Sequence, residues 1–138
     1  GEVLHRFERK GLKIIALKMM QLSEELVKTH YKEHEGKPFY EKLIAYTTSG
    51  PVIALIIEGE GVIATVRRLV GPTDVTAALP GTIRGDFGVS NAYNLIHGSD
   101  SPEAAATELS LFFKPDELVD WKPTGLEWVY DLTAGKPE

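Results

Sequence analysis

The sequence predicts an α/β sandwich in which helices cover one or both faces of a small sheet. Predicted strands alternate with predicted helices, and a pair of helices lies between the two longest apolar runs. The chain has 138 residues, of which 43% are apolar, so it is long enough to bury a core of its own. We therefore expect one domain over 1–138.

The first part of the chain predicts a helix, a strand and a second helix. The first helix is short and apolar on one face, and it ends at Gly11, a residue that suits a left-handed helix stop. A strand is predicted over 12–20. Ser23 and the two acidic residues after it favour the start of a helix that runs to about His34.

The next part predicts a helix, a buried strand and another helix. Beyond Gly36 and Pro38, a helix carries apolar residues over 39–46. A turn then precedes the nearly continuous apolar run over 52–57, which predicts a central strand of the sheet. A further helix follows from about 61 to 70.

The last part combines a long loop, a short strand and a well-marked helix. The stretch 71–90 has glycines, prolines and no sustained periodicity, which is typical of a binding loop. A short strand is predicted over 93–97. Ser101 and Pro102 favour the start of a helix that runs to about Phe113. We expect three aromatic residues to attach the following tail to the body: Trp121, Trp128 and Tyr130.

Composition narrows the class of protein. No apolar run approaches the length of roughly 20 residues that a membrane-spanning helix needs, so we expect no membrane partner. The absence of cysteine excludes disulfides and thiolate metal sites, and it suits a reducing, cytoplasmic compartment. The formal net charge of -5 argues against a nucleic-acid partner, because such proteins neutralise phosphates with Lys and Arg.

Among the four histidines, His97 is the best candidate for chemistry. It follows an apolar stretch and precedes Gly98-Ser-Asp-Ser101, small polar residues that open a helix. The imidazole is therefore expected beside a helix N-terminus, which favours an anion. A purely structural histidine fits the same pattern. For His5, His30 and His34, a surface or core-edge position is the expected one.

Glu108 is the expected partner of His97. At about 100° per residue, it falls at the margin of the apolar stripe of its helix, so its carboxylate leans toward the core and needs a partner. A carboxylate beside one ring nitrogen can hold a neutral histidine in one tautomer, as a nucleophile requires. Alternatively, Glu108 reaches solvent or pairs with a lysine.

The helical repeat also predicts that two neighbouring arginines point in different directions. Arg68 lies opposite the buried stripe of its helix and is expected in solvent, whereas Arg67 lies on the flank and can reach a cleft. Together with Arg84, Arg67 offers forked donors suited to phosphate oxygens. The sequence has no Walker-type glycine-rich loop, so a phosphate site would be assembled from such side chains.

Three segments together resemble the nucleoside diphosphate kinase family: Pro80-Gly-Thr-Ile-Arg-Gly-Asp-Phe87, Asn94-Leu-Ile-His-Gly-Ser-Asp-Ser101 and Leu111-Phe-Phe-Lys-Pro-Asp-Glu-Leu118. The likeness includes His30-Tyr31, Lys37-Pro-Phe39 and Ser49-Gly-Pro-Val52 and extends to about Tyr130. It implies a ferredoxin-like sandwich, an antiparallel sheet covered by helices. It also implies transfer of a terminal phosphoryl group from a nucleoside triphosphate to a nucleoside diphosphate. In this reaction His97 is phosphorylated as an intermediate.

The resemblance assigns roles to nine residues. On the reacting side it implies His97 as nucleophile, with Glu108, Ser99 and Tyr31 near it. For the nucleotide it implies phosphate contacts from Arg67, Thr73 and Arg84, a sugar contact from Asn94 and base stacking on Phe39. It implies Mg²⁺ bound through the nucleotide phosphates with no metal-ligating protein residue. It also implies a homo-oligomer, either a hexamer or a tetramer.

One part of the family pattern has no counterpart in this sequence. Members of the family begin with a strand and a lysine-containing segment, which precede the helix that opens this chain. We therefore expect that this chain lacks an N-terminal piece that carries the strand and the lysine. Without that lysine, the alternative is a catalytically impaired nucleotide-binding or regulatory protein. Turnover with ATP and a second nucleoside diphosphate distinguishes the two.

Overall fold

A computed structural model describes residues 1–133. In this range the chain has six α-helices and two strands. In chain order they are α1 (Glu2–Arg9), β1 (Lys13–Met20), α2 (Glu24–His30), α3 (Tyr40–Thr48), β2 (Val52–Glu58), α4 (Val62–Val70), α5 (Ile83–Phe87) and α6 (Pro102–Phe112). Short 3-10 turns occur at Lys32–His34, Val75–Ala77, Asn91–Tyr93, Pro115–Glu117 and Leu126–Trp128. None of these helices is long and apolar enough to cross a membrane.

The two strands form one antiparallel pair. Lys13 lies opposite Glu58 and Met20 opposite Val52, with a bulge between Ile14 and Ala16. Within residues 1–133 this sheet has only two strands, so β2 has a single neighbour. The prediction of a central strand over 52–57 is therefore wrong for the described chain. Its continuous apolar character has another cause, because helices pack on both of its faces.

The helices cover the two faces of the sheet, as the sequence predicts. Neighbouring residues of a strand point to opposite faces. Leu55 packs against a core that α1 and α4 share, with Phe7 and Val70 each 1% exposed. Ile56 faces the other way, toward the residues at the end of α6. On that second side α2 and α3 also pack together through their buried residues, which include Val27, Tyr40 and Ile44. The α/β sandwich is confirmed.

The predicted helix boundaries are confirmed where a capping side chain or a left-handed glycine lies at the helix end. The hydroxyl of Ser23 accepts from the Leu26 N–H at 3.2 Å, and that of Ser101 accepts from the Ala104 N–H at 3.1 Å. Gly11 adopts a φ of +83° just after α1. α2 ends at His30, earlier than predicted, because the chain tightens there into a 3-10 turn.

The stretch 71–90 is more ordered than a loop. It contains a 3-10 turn and helix α5, which the Thr82 hydroxyl caps by accepting from the Gly85 N–H at 3.0 Å. The Asp86 carboxylate accepts from the Gly81 N–H at 2.7 Å and pairs with Arg6 of α1. The prediction of a loop is therefore wrong over α5, since local polar caps stabilise turns that lack apolar periodicity, while the binding role of the stretch stays a prediction.

The tail contacts the body at some of its aromatic residues but not at all of them. The indole N–H of Trp121 donates to the Ile14 carbonyl at 2.9 Å, beside the bulge of β1. The Val119 N–H donates to the Ile15 carbonyl at 2.8 Å. Tyr130 packs so closely on Gly59 that a Cβ there would lie 2.6 Å from its hydroxyl oxygen. Trp128 is 88% exposed, so the expectation that it attaches the tail is wrong.

Candidate active site

The backbone turns sharply just before His97. Asn91–Tyr93 form a 3-10 turn, and the residues from Asn94 to His97 have no strand pairing. Leu95 has a φ of +72°, and the Ile96 N–H donates to the Asn94 carbonyl at 2.9 Å, which closes a γ-turn. The predicted strand over 93–97 is wrong because a left-handed residue breaks the extended backbone.

Arg84 holds this turn in place. Its Nε donates to the Asn94 carbonyl at 3.1 Å, Nη2 to the Ile96 carbonyl at 2.6 Å and Nη1 to the Gly71 carbonyl at 3.1 Å. The residue is 4% exposed. Burial, and then the charge of Arg67, lower its pKa, although an arginine stays charged. The guanidinium thus supports the strained turn with three of its five N–H groups, and its contact with nucleotide phosphates stays a prediction.

Glu108 meets His97 as its place on the helix predicts. Nε2 of His97 lies 2.9 Å from Oε1 of Glu108, and the Ser99 hydroxyl donates to Oε2 at 2.5 Å. Burial of this carboxyl opposes ionisation, but hydrogen bonds from Ser99 and His97 outweigh it and lower the pKa of Glu108. An ionised carboxylate only accepts hydrogen bonds. Nε2 therefore carries a hydrogen, and in the neutral form of the ring Nδ1 is the nitrogen with the lone pair.

Two further rings border His97. The His30 ring meets the His97 ring edge-on at a centroid distance of 4.6 Å, and the Tyr31 ring does so at 6.0 Å. Burial, and then the charge of His97, lower the pKa of His30 to about 4, so this ring is neutral at pH 7. Burial, and then the charge of Glu108, raise the pKa of Tyr31 to about 12.

Sequence reasoning missed the position of His30. Its place among the apolar residues of α2 predicts an ordinary core-edge histidine, and only the folded chain brings it against His97. The sole signal was its adjacency to Tyr31 in one of the family segments. Ligand atoms of His30, His97 and Glu108 lie within 4.8 Å of one another, so these three residues could hold a metal ion.

The two arginines of α4 are both exposed, but they make different hydrogen bonds. Arg67 donates from Nη1 to the Gly98 carbonyl at 3.3 Å, next to His97, while Arg68 stays on its own helix beside the Ala64 carbonyl at 3.4 Å. Both arginines border an open cleft of about 320 Å³. Its other lining residues are Gly71, Pro72, Leu79 and Thr82. Thr73 is exposed and directly follows Pro72.

Phe39 is linked to His97 through a series of rings. Phe39 is 48% exposed and meets the His34 ring at 5.6 Å. The His34 ring stacks on Tyr31 at 5.9 Å, and Tyr31 faces His97. Asn94 contributes its carbonyl to Arg84, and the residue is half-buried. The His97 side chain is 44% exposed at the end of this series, so a ligand can reach it.

Known proteins are similar to this chain in sequence. The family model described as Nucleoside diphosphate kinase matches residues 1–118. The nucleoside diphosphate kinase of Bacillus licheniformis is 57% identical, over 94% of this chain and 88% of its own. That of Carboxydothermus hydrogenoformans is 53% identical, over 95% and 88%.

Solved structures of this family have the same fold. A halophilic nucleoside diphosphate kinase from Halobacterium salinarum, solved in complex with CDP, is 49% identical and superposes with a TM-score of 0.92. The match covers 95% of this chain and 88% of that protein. A family protein from Babesia bovis is 45% identical, with a TM-score of 0.89 over 94% and 88% of the two chains.

Proposed function

Because this chain belongs to the nucleoside diphosphate kinase family and transfers the terminal phosphoryl group of a nucleoside triphosphate to a nucleoside diphosphate, we propose that His97 carries the group between the two nucleotides. The observation that supports this role is the hydrogen bond of 2.9 Å between its Nε2 and Glu108. It leaves Nδ1 as the nitrogen with a lone pair, on a side chain that is 44% exposed.

The reaction has two half-reactions at Nδ1 of His97. The Nδ1 lone pair attacks the terminal phosphorus of the triphosphate, an N–P bond forms, and the P–O bond to the leaving diphosphate breaks. In the second half, a terminal oxygen of the acceptor diphosphate attacks the same phosphorus and the N–P bond breaks. Glu108 favours both steps because its negative charge stabilises the positive charge that the ring gains during transfer.

Ser99 and Tyr31 have supporting roles in this proposal. The Ser99 hydroxyl holds the second oxygen of Glu108, which keeps the carboxylate turned toward Nε2. Tyr31 is packed edge-on beside the imidazole and restricts its rotation. The complete chain of contacts from Ser99 through Glu108 to His97 supports a working catalyst over an impaired member of the family.

We assign the nucleotide phosphates to Arg67 and Thr73 at the open cleft, with Arg84 behind them. Arg67 already approaches the backbone at Gly98, within one residue of His97. Arg84 has N–H groups beyond the three that the backbone carbonyls use, so it can still contribute to anion binding while it supports the turn. The base stacks on exposed Phe39, and Asn94 contacts the sugar. Stacking accepts any base, because each base has a π-face.

We propose Mg²⁺ as the divalent cation, held by the nucleotide phosphates. The residues around His97 fit this arrangement. The charged groups that line the cleft are arginines, which do not bind cations, so phosphate oxygens and water remain as ligands for a hard cation there. When bound, the cation offsets phosphate charge, which eases attack by Nδ1.

We also propose a homo-oligomer, either a hexamer or a tetramer, in the cytoplasm, with the chain folded as one domain. Three apolar residues on one face of the sheet support assembly. Leu17, Met19 and Ile53 are 48%, 72% and 45% exposed, and Met19 lies directly opposite Ile53 in the strand pair. Adjoining exposed apolar side chains are typical of an interface. The absence of cysteine supports a reducing compartment.

Labelling with γ-³²P-ATP tests the role of His97. The protein should take up an acid-labile, base-stable label in the absence of acceptor and release it when a nucleoside diphosphate is added. His97→Ala should lose both the label and nearly all turnover. His5→Ala, which changes an exposed histidine of α1, should behave like the unmodified protein. Undiminished labelling of His97→Ala would overturn the assignment.

A further inference from the structure

We propose that His30, His97 and Glu108 form an inhibitory binding site for a late first-row divalent cation, for which Zn²⁺ is the best fit. This site lies on the Nε2 side of His97, opposite to the nitrogen assigned to phosphoryl transfer. The ligand set is two imidazoles and one carboxylate, with a ligand atom from each residue within 4.8 Å of the others. Imidazole nitrogens favour zinc, copper and nickel over magnesium.

The geometry needs only small adjustments to accept the ion. Zinc bonds to nitrogen and oxygen are about 2.0–2.2 Å long, so two ligands of a tetrahedral ion lie roughly 3.4 Å apart. Nε2 of His97 and Oε1 of Glu108 are 2.9 Å apart and would separate slightly. The His30 ring is already against the His97 ring, at 4.6 Å between centroids. Bringing ligand atoms that lie within 4.8 Å of one another to this spacing requires a rotation of the His30 side chain.

His30 is free to coordinate. Its Nδ1 is buried and has no hydrogen-bond partner in the part of the chain that the structure describes. Buried polar atoms are nearly always paired with protein, water or an ion, and a bound cation is one partner that suits the lone pair of an imidazole nitrogen. Coordination by this ring would break no hydrogen bond at Nδ1, unlike coordination by most buried histidines.

An ion can reach the three residues by a route separate from the arginine-lined cleft. A second cleft, of about 240 Å³, opens between α2 and α6. Its lining residues are Thr29, His30, Thr107, Glu108, Ser110 and Leu111. It borders two of the three proposed ligands, and a water molecule needs only about 30 Å³, so a hydrated ion fits.

Inhibition follows from the single hydrogen of a neutral imidazole. In the phosphoryl-transfer state this hydrogen is on Nε2, where it donates to Glu108, and the lone pair is on Nδ1. A cation on Nε2 needs the lone pair there, so the hydrogen moves to Nδ1. Nδ1 then has no lone pair with which to attack phosphorus. Mg²⁺, which prefers oxygen ligands and keeps its waters, does not compete for this position.

Direct binding is the first test, and it uses no nucleotide. Zn²⁺ is titrated into the protein by calorimetry, and Co²⁺ is added as a spectroscopic substitute whose visible absorption reports nitrogen ligands. We expect one ion per chain. His30→Gln should weaken Zn²⁺ binding at least about tenfold, and His97→Ala and Glu108→Gln should also weaken it. His5→Gln is the matched control and should leave the affinity unchanged.

Inhibition is the second test. Each variant is compared with its own metal-free rate at a fixed concentration of Mg²⁺-ATP. Zn²⁺ should suppress phosphoryl transfer by the unmodified protein, and EDTA should restore it. The Zn²⁺ concentration for half-inhibition should rise at least about tenfold in His30→Gln and stay unchanged in His5→Gln. Zinc bound to the nucleotide would affect all variants equally, so the difference between variants reports the protein site.

Two outcomes would overturn the proposal. One is equal Zn²⁺ affinity in the unmodified protein and in a His30→Gln protein whose circular dichroism shows it to be folded. The other is Zn²⁺ inhibition that His30→Gln does not weaken. Because binding is measured without nucleotide, a failure of the phosphohistidine assignment would appear in the labelling experiment and would leave the binding result intact.

Discussion

The chemistry of His97 depends on which of its two nitrogens carries the hydrogen. Glu108 decides this, because its carboxylate accepts from Nε2 and leaves Nδ1 with the lone pair. Ser99 in turn decides the orientation of Glu108 by donating to its other oxygen. Replacing the carboxylate with a neutral amide would remove the negative charge beside the ring, and the NH₂ group of the amide could turn toward the ring.

We predict that Glu108→Gln lowers kcat on the order of 10²-fold, the lower end of what positioned proton-accepting groups contribute. KM should change little, since Glu108 acts through His97 and not on the nucleotide. Steady-state kinetics with ATP and a second nucleoside diphosphate measure both constants. Glu103→Gln, an exposed change on the same helix, is the control and should keep the normal kcat. A kcat within twofold of normal in Glu108→Gln would contradict this role.

At the scale of elements, the turn before α6 is stabilised by hydrogen bonds from a residue of α5. Arg84 connects three carbonyls, two of them on either side of the left-handed Leu95. A left-handed leucine is strained and persists only where the surroundings stabilise it. Arg84 therefore has a structural role in placing His97, in addition to the phosphate contact assigned to it.

Replacing this arginine should destabilise the protein. Arg84→Met leaves three carbonyls without their donors, and we expect the free energy of unfolding to fall by roughly 3 kcal/mol. Urea unfolding followed by circular dichroism measures the change. Arg68→Met is the matched control, since Arg68 is exposed and donates a hydrogen bond to a carbonyl of its own helix, and it should cost less than about 0.5 kcal/mol. Equal stability of the two variants would show that Arg84 does not support the turn.

α5 is itself attached to α1 through Asp86, and this attachment depends on pH. The Gly81 N–H, and then the side chain of Arg6, lower the pKa of the Asp86 carboxyl. A lowered pKa in the folded state means that the unfolded chain takes up a proton first as pH falls. The stabilisation from Asp86 is complete above its ordinary pKa near 3.9, and it is lost as pH falls through the lowered value.

We predict that Asp86→Asn destabilises the protein most at neutral pH. The difference in free energy of unfolding between this variant and the unmodified protein should shrink as pH falls below about 4. Urea unfolding at several pH values from 7 to 3 tests it. Asp116→Asn, a change at an exposed aspartate in a 3-10 turn, is the comparison. A difference that stays constant or grows on acidification would contradict the prediction.

At the scale of the whole molecule, one face of the sheet is only partly covered. α1 and α4 pack over Leu55, while Met19 and Ile53 on the same side of the strands remain exposed. The tail covers the edge of β1 at its bulge, through Val119 and Trp121. Apolar strand surface of this kind favours assembly, because contact with another copy removes it from water.

We predict that the protein sediments at a multiple of its chain mass of 15.2 kDa. Met19→Glu should shift the distribution toward smaller species, since a carboxylate buried in an apolar contact is costly. Val89→Glu introduces the same residue at a position that is 92% exposed and belongs to neither strand, and it should sediment like the unmodified protein. A monomeric protein, or a Met19→Glu variant that assembles normally, would contradict the proposed interface.

The sequence by itself determined the features that depend on local physical chemistry. Helix starts at Ser23 and Ser101 follow from side-chain caps, which need only neighbouring residues. The place of Glu108 at the edge of its helix follows from the helical repeat, and that repeat also separates Arg67 from Arg68. The segments that resemble the family then predicted the reaction, because they contain a set of residues around one histidine that is typical of that family.

Only the tertiary structure decided which distant groups meet. The contact of His30 with His97 and the burial of Arg84 beneath the turn depend on how α2, α5 and α6 pack, and no local pattern encodes that packing. The left-handed Leu95 was invisible for the same reason: its apolar neighbours favour a strand, and the hydrogen bonds of Arg84 outweigh that preference. His97 was thus predictable as a residue, whereas the groups that support and surround it were decided by the fold.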